Sequence, residues 1–185
     1  MQEPVLYDSV SLNHFGIPNR LDILENLFGR HELPRWSETV ASEIDTGANL
    51  GHAHCENVLR ADWLGDPEAI EPKDLAAVQI IRTAMTDPRE PSTKNLGEAE
   101  SLFLARKYQG WFVTDDGVAH DWSLRNGMLG AGRVLDTVDI LRRAVSYEDI
   151  GETDAKAIYD LVIAAGRDFR SCHPTNPPPS FFAPE

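Results

Sequence analysis

The chain has 185 residues, 42% of them apolar, 25% charged and 8% aromatic. That size fits one domain with an ordinary core and excludes collagen, coiled coil and wholesale disorder. Lys and Arg number 17 against 30 Asp and Glu, a net charge of −13, so the overall field repels phosphate. A polyanion partner then needs a local basic stripe or bridging cations. No apolar run approaches the ~20 residues of a membrane helix, and Met1 to Asp8 lack the basic cluster of a signal peptide. The two cysteines, Cys55 and Cys172, are too few for a disulfide framework and suit a reducing compartment. A cytoplasmic protein with no membrane partner is expected.

In chain order, Val5-Leu6-Tyr7 reads as a buried strand closed by Asp8. Leu21, Leu24, Leu27 and Phe28 recur at helical spacing before Gly29, a plausible stop. Ser37 is a good N-cap for a helix whose Val40 and Ile44 form an apolar pair, and Glu43 projects near that buried side. Leu75, Val78, Arg82 and Met85 predict a further helix, and Thr86 to Asn95, with two prolines, a loop. A helix from about Glu98 to Gly110 carries Ala99, Leu102 and Phe103, and Trp111 to Thr114 is a strand running into Asp115-Asp116-Gly117. A helix to about Asn126, a short strand at Arg133-Val134-Leu135, a helix with Val138, Leu141 and Val145, and one with Ala155, Ile158, Val162 and Ala165 follow.

Strands alternating with helices predict an α/β fold, a three-layer α/β/α sandwich around a mostly parallel sheet. The expected domain covers residues 1–168. Residues 169–185 are expected to be a flexible tail, since five prolines between Ser171 and Glu185 oppose any regular element.

Open α/β sheets gather functional groups at the carboxyl ends of their strands. Asp8 and Asp116 sit at such ends, Glu98 opens the helix before the second of these strands, and Glu43 can point to the same edge. Four carboxylates in one pocket raise each other's pKa. A divalent ion with oxygen ligands, Mg²⁺ or Mn²⁺, resolves that repulsion.

The stretches VLYDSVSLNHF, SETVASEI, LGEAESLFLARKYQGWFVTDD and RVLDTVDILRRAV resemble the PIN (PilT N-terminus) domain family. Its members are metal-dependent nucleases, many of them toxins of bacterial toxin–antitoxin pairs. The family's first acid ends strand one, where Asp8 stands. Its second follows strand two in a V-x-x-E setting, matched by Val40 to Glu43. The third opens the helix before strand four, and the fourth closes that strand in a T-x-D pattern, here Thr114-Asp115-Asp116. Glu98 and Asp116 stand 18 residues apart, the family's separation, which selects Glu98 over Glu100 and Asp116 over Asp115.

The resemblance implies a Mg²⁺- or Mn²⁺-dependent endoribonuclease with Asp8, Glu98 and Asp116 as principal ligands. Glu43 would ligate directly, act through water or orient a water as base. Thr114, Asp115 and Ser9 are implied as supporting residues. RNA is the implied substrate, with an antitoxin protein and a second copy of the chain as further partners. The family often has Ser or Asn two residues after the first acid; Val10 stands there, so Ser9 or Ser11 must supply any hydroxyl contact. Residues 45–95 form a longer insertion than a minimal member carries.

Rival readings weigh against this one. Gly51-His52-Ala53-His54-Cys55, with Cys172-His173, invites zinc but lacks a second CxxC or HxxxH. His14, Arg106 and Lys107 are candidates for phosphate contact, against packed or solvated alternatives. Trp36, Trp63, Trp111 and Trp122 are candidates for base stacking, with Trp111 expected in the core. A haloacid-dehalogenase-type phosphatase needs Asp where Val10 stands. The non-enzymatic alternative is a catalytically inert PIN-like scaffold that binds a protein or RNA.

Overall fold

The computed structural model describes residues 3–28, 35–91, 93–130 and 132–184. Three short strands, β1 (Val5–Tyr7), β2 (Trp111–Val113) and β3 (Val134–Leu135), form a parallel sheet in the order β1-β2-β3. Val5 pairs with Trp111, Tyr7 with Val113, and Val113 in turn with Leu135. Close approach at the strand entry requires glycine: a Cβ on Gly110 would lie 2.2 Å from the Pro4 carbonyl oxygen, which accepts the Trp111 amide at 2.8 Å.

Nine α-helices occur among the described residues: α1 (Ser9–Gly16), α2 (Asp22–Phe28), α3 (Glu38–Asn49), α4 (Ala53–Leu59), α5 (Leu75–Met85), α6 (Leu96–Lys107), α7 (Gly117–Arg125), α8 (Thr137–Ser146) and α9 (Glu152–Ala164). The fold is mixed α/β. Alternate strand residues feed two apolar clusters. Val5, Tyr7, Val113 and Leu135 pack with α1, α2, α3, α8 and α9 residues such as Phe15, Ile44 and Leu141. Leu6, Phe112 and Val134 pack with α5 and α6 residues such as Val78 and Leu102. Strands buried on both faces are why their sequences are continuously apolar.

Most predicted elements lie within a few residues of their expected bounds, with Ser37 capping α3 through the Val40 amide. Gly29, the expected stop of α2, lies outside the described residues. Where a second strand would precede α3, the described residues show only the Tyr7 amide on the Arg35 carbonyl at 2.9 Å and an isolated bridge between Ser37 and Glu68.

The expectation of a flexible tail needs correction. Residues 169–184 lie on the domain: Phe169 stacks on Tyr159 with ring centroids 3.9 Å apart, and the Tyr159 hydroxyl donates to the Pro174 carbonyl. Pro179–Phe182 form a turn of 3₁₀ helix, and Phe182 is fully buried among α8 and α9 residues. Proline blocked longer helices but left two aromatic rings free to pack.

Candidate metal-binding and active site

The site is assembled at the carboxyl ends of β1 and β2. Asp8 leaves β1, N-caps α1 through the Ser11 amide at 2.6 Å, and accepts the Thr114 hydroxyl at 2.5 Å from the end of β2. It is 1% exposed. Burial above all, then the neighbouring Asp115 charge, push its carboxyl up to about 6, against the lowering pull of Thr114 and Ser11. Asp116 N-caps α7 by accepting the Ala119 amide at 2.8 Å, and its own amide donates to the Thr114 hydroxyl at 3.2 Å. Thr114 thus bridges two of the predicted ligands.

Glu98 stands in the first turn of α6, half-buried. Its carboxyl is pushed up to about 7, first by burial, then by Asp8, with Glu43 and Asp116 adding. Glu43 is exposed as a residue, yet its carboxylate end is hemmed in. Both its oxygens lie 3.4 Å from where a Cβ on Gly97 would be, and Val40 lies at 3.2 Å. A side chain at position 97 would crowd it. Burial of that end raises the Glu43 carboxyl, the Ser9 hydroxyl bond opposes this, and the charges of Glu100 and Lys94 act in opposite senses.

All four predicted acids therefore face one region and are electrostatically coupled through Glu98. Hard carboxylate oxygens of this kind, those of Asp8, Glu43 and Glu98 resisting ionisation, could hold a divalent cation. The acids stand apart nonetheless: no three of them bring ligand oxygens within 4.8 Å of one another.

The supporting residues divide. Thr114 holds Asp8, while the Ser9 hydroxyl acts to lower the Glu43 carboxyl. Asp115 faces the other way as a buried strut, accepting the Ser11 hydroxyl at 3.0 Å and the Thr137 hydroxyl, with His14 Nδ1 at 3.3 Å. Glu100, passed over for Glu98 on spacing, is buried and accepts the Thr39 amide at the start of α3. Ser11 donates its amide to Asp8 and its hydroxyl to Asp115.

Other sequence candidates take structural roles. His14 is fully buried against Phe169. Lys107 is tied to Glu71 and Asp74, and Arg106 reaches the Met128 sulfur. Trp36 is buried, its indole N–H on the Gly65 carbonyl. Trp63 meets Tyr7 edge-on, and Trp122 packs partly buried against the second cluster. Trp111 is only partly buried, its indole N–H on Glu3 and Arg143 over its ring. The His52 and His54 rings stack, and Cys55 donates to Asn13 instead of facing Cys172-His173.

Sequence reasoning missed a second cluster. Among the described residues, His120, Asp136 and Asp139 bring ligand atoms within 4.8 Å of one another, and this buried group could hold a metal ion. Asp136 and Asp139 form the capping box of α8. Here a guanidinium takes the cation's place: Arg170 Nη1 lies 3.0 Å from Asp136 Oδ2 and 3.3 Å from His120 Nε2. His173 Nε2 lies 2.7 Å from the same Asp136 oxygen. Despite burial, these partners and the Asp139 amide hold the Asp136 carboxyl down at about 2. The D-x-x-D spacing was the available signal; Arg170 and His173 gave none.

No family model matches the chain, and no curated protein or solved structure does either. The reading of the site rests on its residues.

Proposed function

We propose that the chain is a Mg²⁺- or Mn²⁺-dependent endoribonuclease with a PIN-like, three-layer α/β/α fold. The observation that carries this reading is that Asp8, Glu43 and Asp116, from separate segments, all act on the Glu98 carboxyl beside the ends of two paired parallel strands. The two apolar clusters flanking the sheet support the layered arrangement.

In this reading Asp8, Glu98 and Asp116 hold the ion, and Glu43 ligates it directly or through water. The bound ion supplies an activated water and charge neutralisation at the phosphoryl oxygens. The chain's own groups do the positioning. Thr114 fixes Asp8 against Asp116, and the Ser9 hydroxyl acts to lower the Glu43 carboxyl. Without a cation, Glu98 at about 7 is half protonated near neutral pH, so the free site carries less charge than four acids imply. A cytoplasmic location, an antitoxin protein that restrains the activity and self-association into a homodimer belong to the same reading.

Asp8→Asn and Asp116→Asn should each abolish cleavage of a single-stranded RNA in Mg²⁺ or Mn²⁺ while leaving circular dichroism unchanged. Amides keep the shape but lose the charge that holds a hard cation. Full activity in both variants, with contaminating nuclease excluded, overturns the assignment.

One observation favours the inert-scaffold alternative: Asp8 and Asp116 both already work as helix caps. Titration with Mn²⁺ separates the two. A scaffold binds no ion that Asp8→Asn releases.

A further inference from the structure

Beside Asp116 lies a cleft of about 400 Å³ that also includes Gly117, Asp121, Arg125, Arg170 and Ser171. Its volume falls in the range of small-ligand sites, roughly 300–1,000 Å³. Two guanidinium groups share one carboxylate there. Asp121 Oδ1 accepts from Arg170 Nη2 at 2.9 Å, and Asp121 Oδ2 stands 3.8 Å from Arg125 Nη2. The Asp121 and Arg125 side chains are 50% and 77% exposed, whereas that of Arg170 is 15% exposed. The other edge of Arg170 is anchored on buried Asp136, so its Nη2 edge is held toward the cleft.

We propose that this cleft binds a backbone phosphate of the RNA strand next to the one cleaved, with Arg125 and Arg170 as donors and Asp121 as the anion that phosphate displaces. That the phosphate bound here neighbours the one cleaved rests on the acid cluster being the cleavage centre; the phosphate site itself does not. Guanidinium groups match phosphate oxygens in a two-pronged geometry. A carboxylate held between two of them in an open cleft occupies the position of such an anion. Asp121 is exposed enough to swing out, which frees the donors of both guanidinium groups for an entering phosphate. A chain of charge −13 needs local basic contacts of this kind to hold a polyanion.

The test measures anisotropy of a labelled single-stranded RNA with the full chain in EDTA and in Ca²⁺, and KM and kcat in Mg²⁺. Arg125→Gln and Arg170→Gln should each weaken binding and raise KM about 5- to 10-fold, with the salt slope of binding lower by about 1. Asp121→Asn should tighten binding and lower KM severalfold. Arg125 and Asp121 are surface side chains, so these two variants decide the matter even if Arg170→Gln loosens the packing of residues 169–184. Cleavage by wild type with Kd and KM unmoved in Arg125→Gln and Asp121→Asn overturns the phosphate site and leaves the nuclease reading standing. Opposite shifts in those variants without cleavage uphold the phosphate site and remove the nuclease reading. A 5′-mononucleotide that binds as tightly as the strand, or no RNA binding at all, overturns the proposal.

Discussion

Asp8→Asn separates the electrostatics of the site from its chemistry. A buried carboxyl held at about 6 against an ordinary 3.8 disfavours its ionised form in the fold by about 3 kcal/mol. The sign follows from proton binding. Between those two values the folded state holds the proton more tightly, so wild-type stability falls as pH rises from about 4 to about 6 and the full penalty stands above that. Asparagine resembles the protonated carboxyl, caps a helix as well as aspartate, and carries no charge at any pH. At pH 8 without metal the variant should therefore be more stable by up to about 3 kcal/mol, which for a chain of this size is roughly 6–12 °C in Tm. Near pH 4 the difference should vanish. Mg²⁺ at about 100 times its Kd should add roughly 2.7 kcal/mol to wild type and much less to the variant. Thermal melts at pH 4 and 8, with and without ion at matched ionic strength, check both halves. A variant advantage equal at the two pH values refutes the burial argument, and an equal gain from Mg²⁺ removes Asp8 from the ligands.

Thr114→Val deletes the hydroxyl that stabilises ionised Asp8, so it should destabilise by about 1–3 kcal/mol, and urea titrations should show a larger loss at pH 8 than at pH 4. Gly97→Ala puts a methyl group 3.4 Å from both Glu43 oxygens; half-maximal cleavage should need severalfold more Mg²⁺, with the metal-free melt little changed. Phe182→Ala should lower stability by about 3–5 kcal/mol, because the ring is fully buried. Truncation after Arg170 should likewise melt several degrees lower, and an unchanged Tm would return residues 171–184 to the role of a loose tail.

Elements with a regular apolar stripe, such as α5 with Val78, Ile81 and Met85, were legible because one buried face suffices to define them. Helix α1 was not, although Asp8 caps it. Its buried side includes Ser11 and His14, polar residues whose partners Asp115 and Thr137 lie more than a hundred positions away. Helix α4 hid behind a His-Cys run that suggested ligation, whereas Cys55 packs with its sulfur where a Cβ on Gly47 would be. Asp8, Glu98 and Asp116 were singled out because each stands at an element boundary that local sequence marks, whereas Glu43 lies in the middle of α3 and was reached only through its spacing from Val40. Which of the neighbouring acids turns inward was decided by tertiary partners: Asp115 by Thr137, Glu100 by the start of α3. The contacts of residues 169–184 were invisible for the same reason, since Arg170 and His173 find Asp136 only after α8 is in place.

The pairing of β1 with β2 joins residues 106 positions apart, as the Thr114 bond to Asp8 does. Parallel pairing over such a separation closes a long loop before any contact offsets it, and non-local topologies of this kind fold slowly. During synthesis, β1 waits without its neighbour until β2 has left the ribosome, at ~5–20 residues per second. Until then Asp8 has neither Thr114 nor Asp116 beside it. The four acids are therefore not brought together in any shorter nascent chain, and for an interval of some seconds after β1 emerges Asp8 lacks its Thr114 partner.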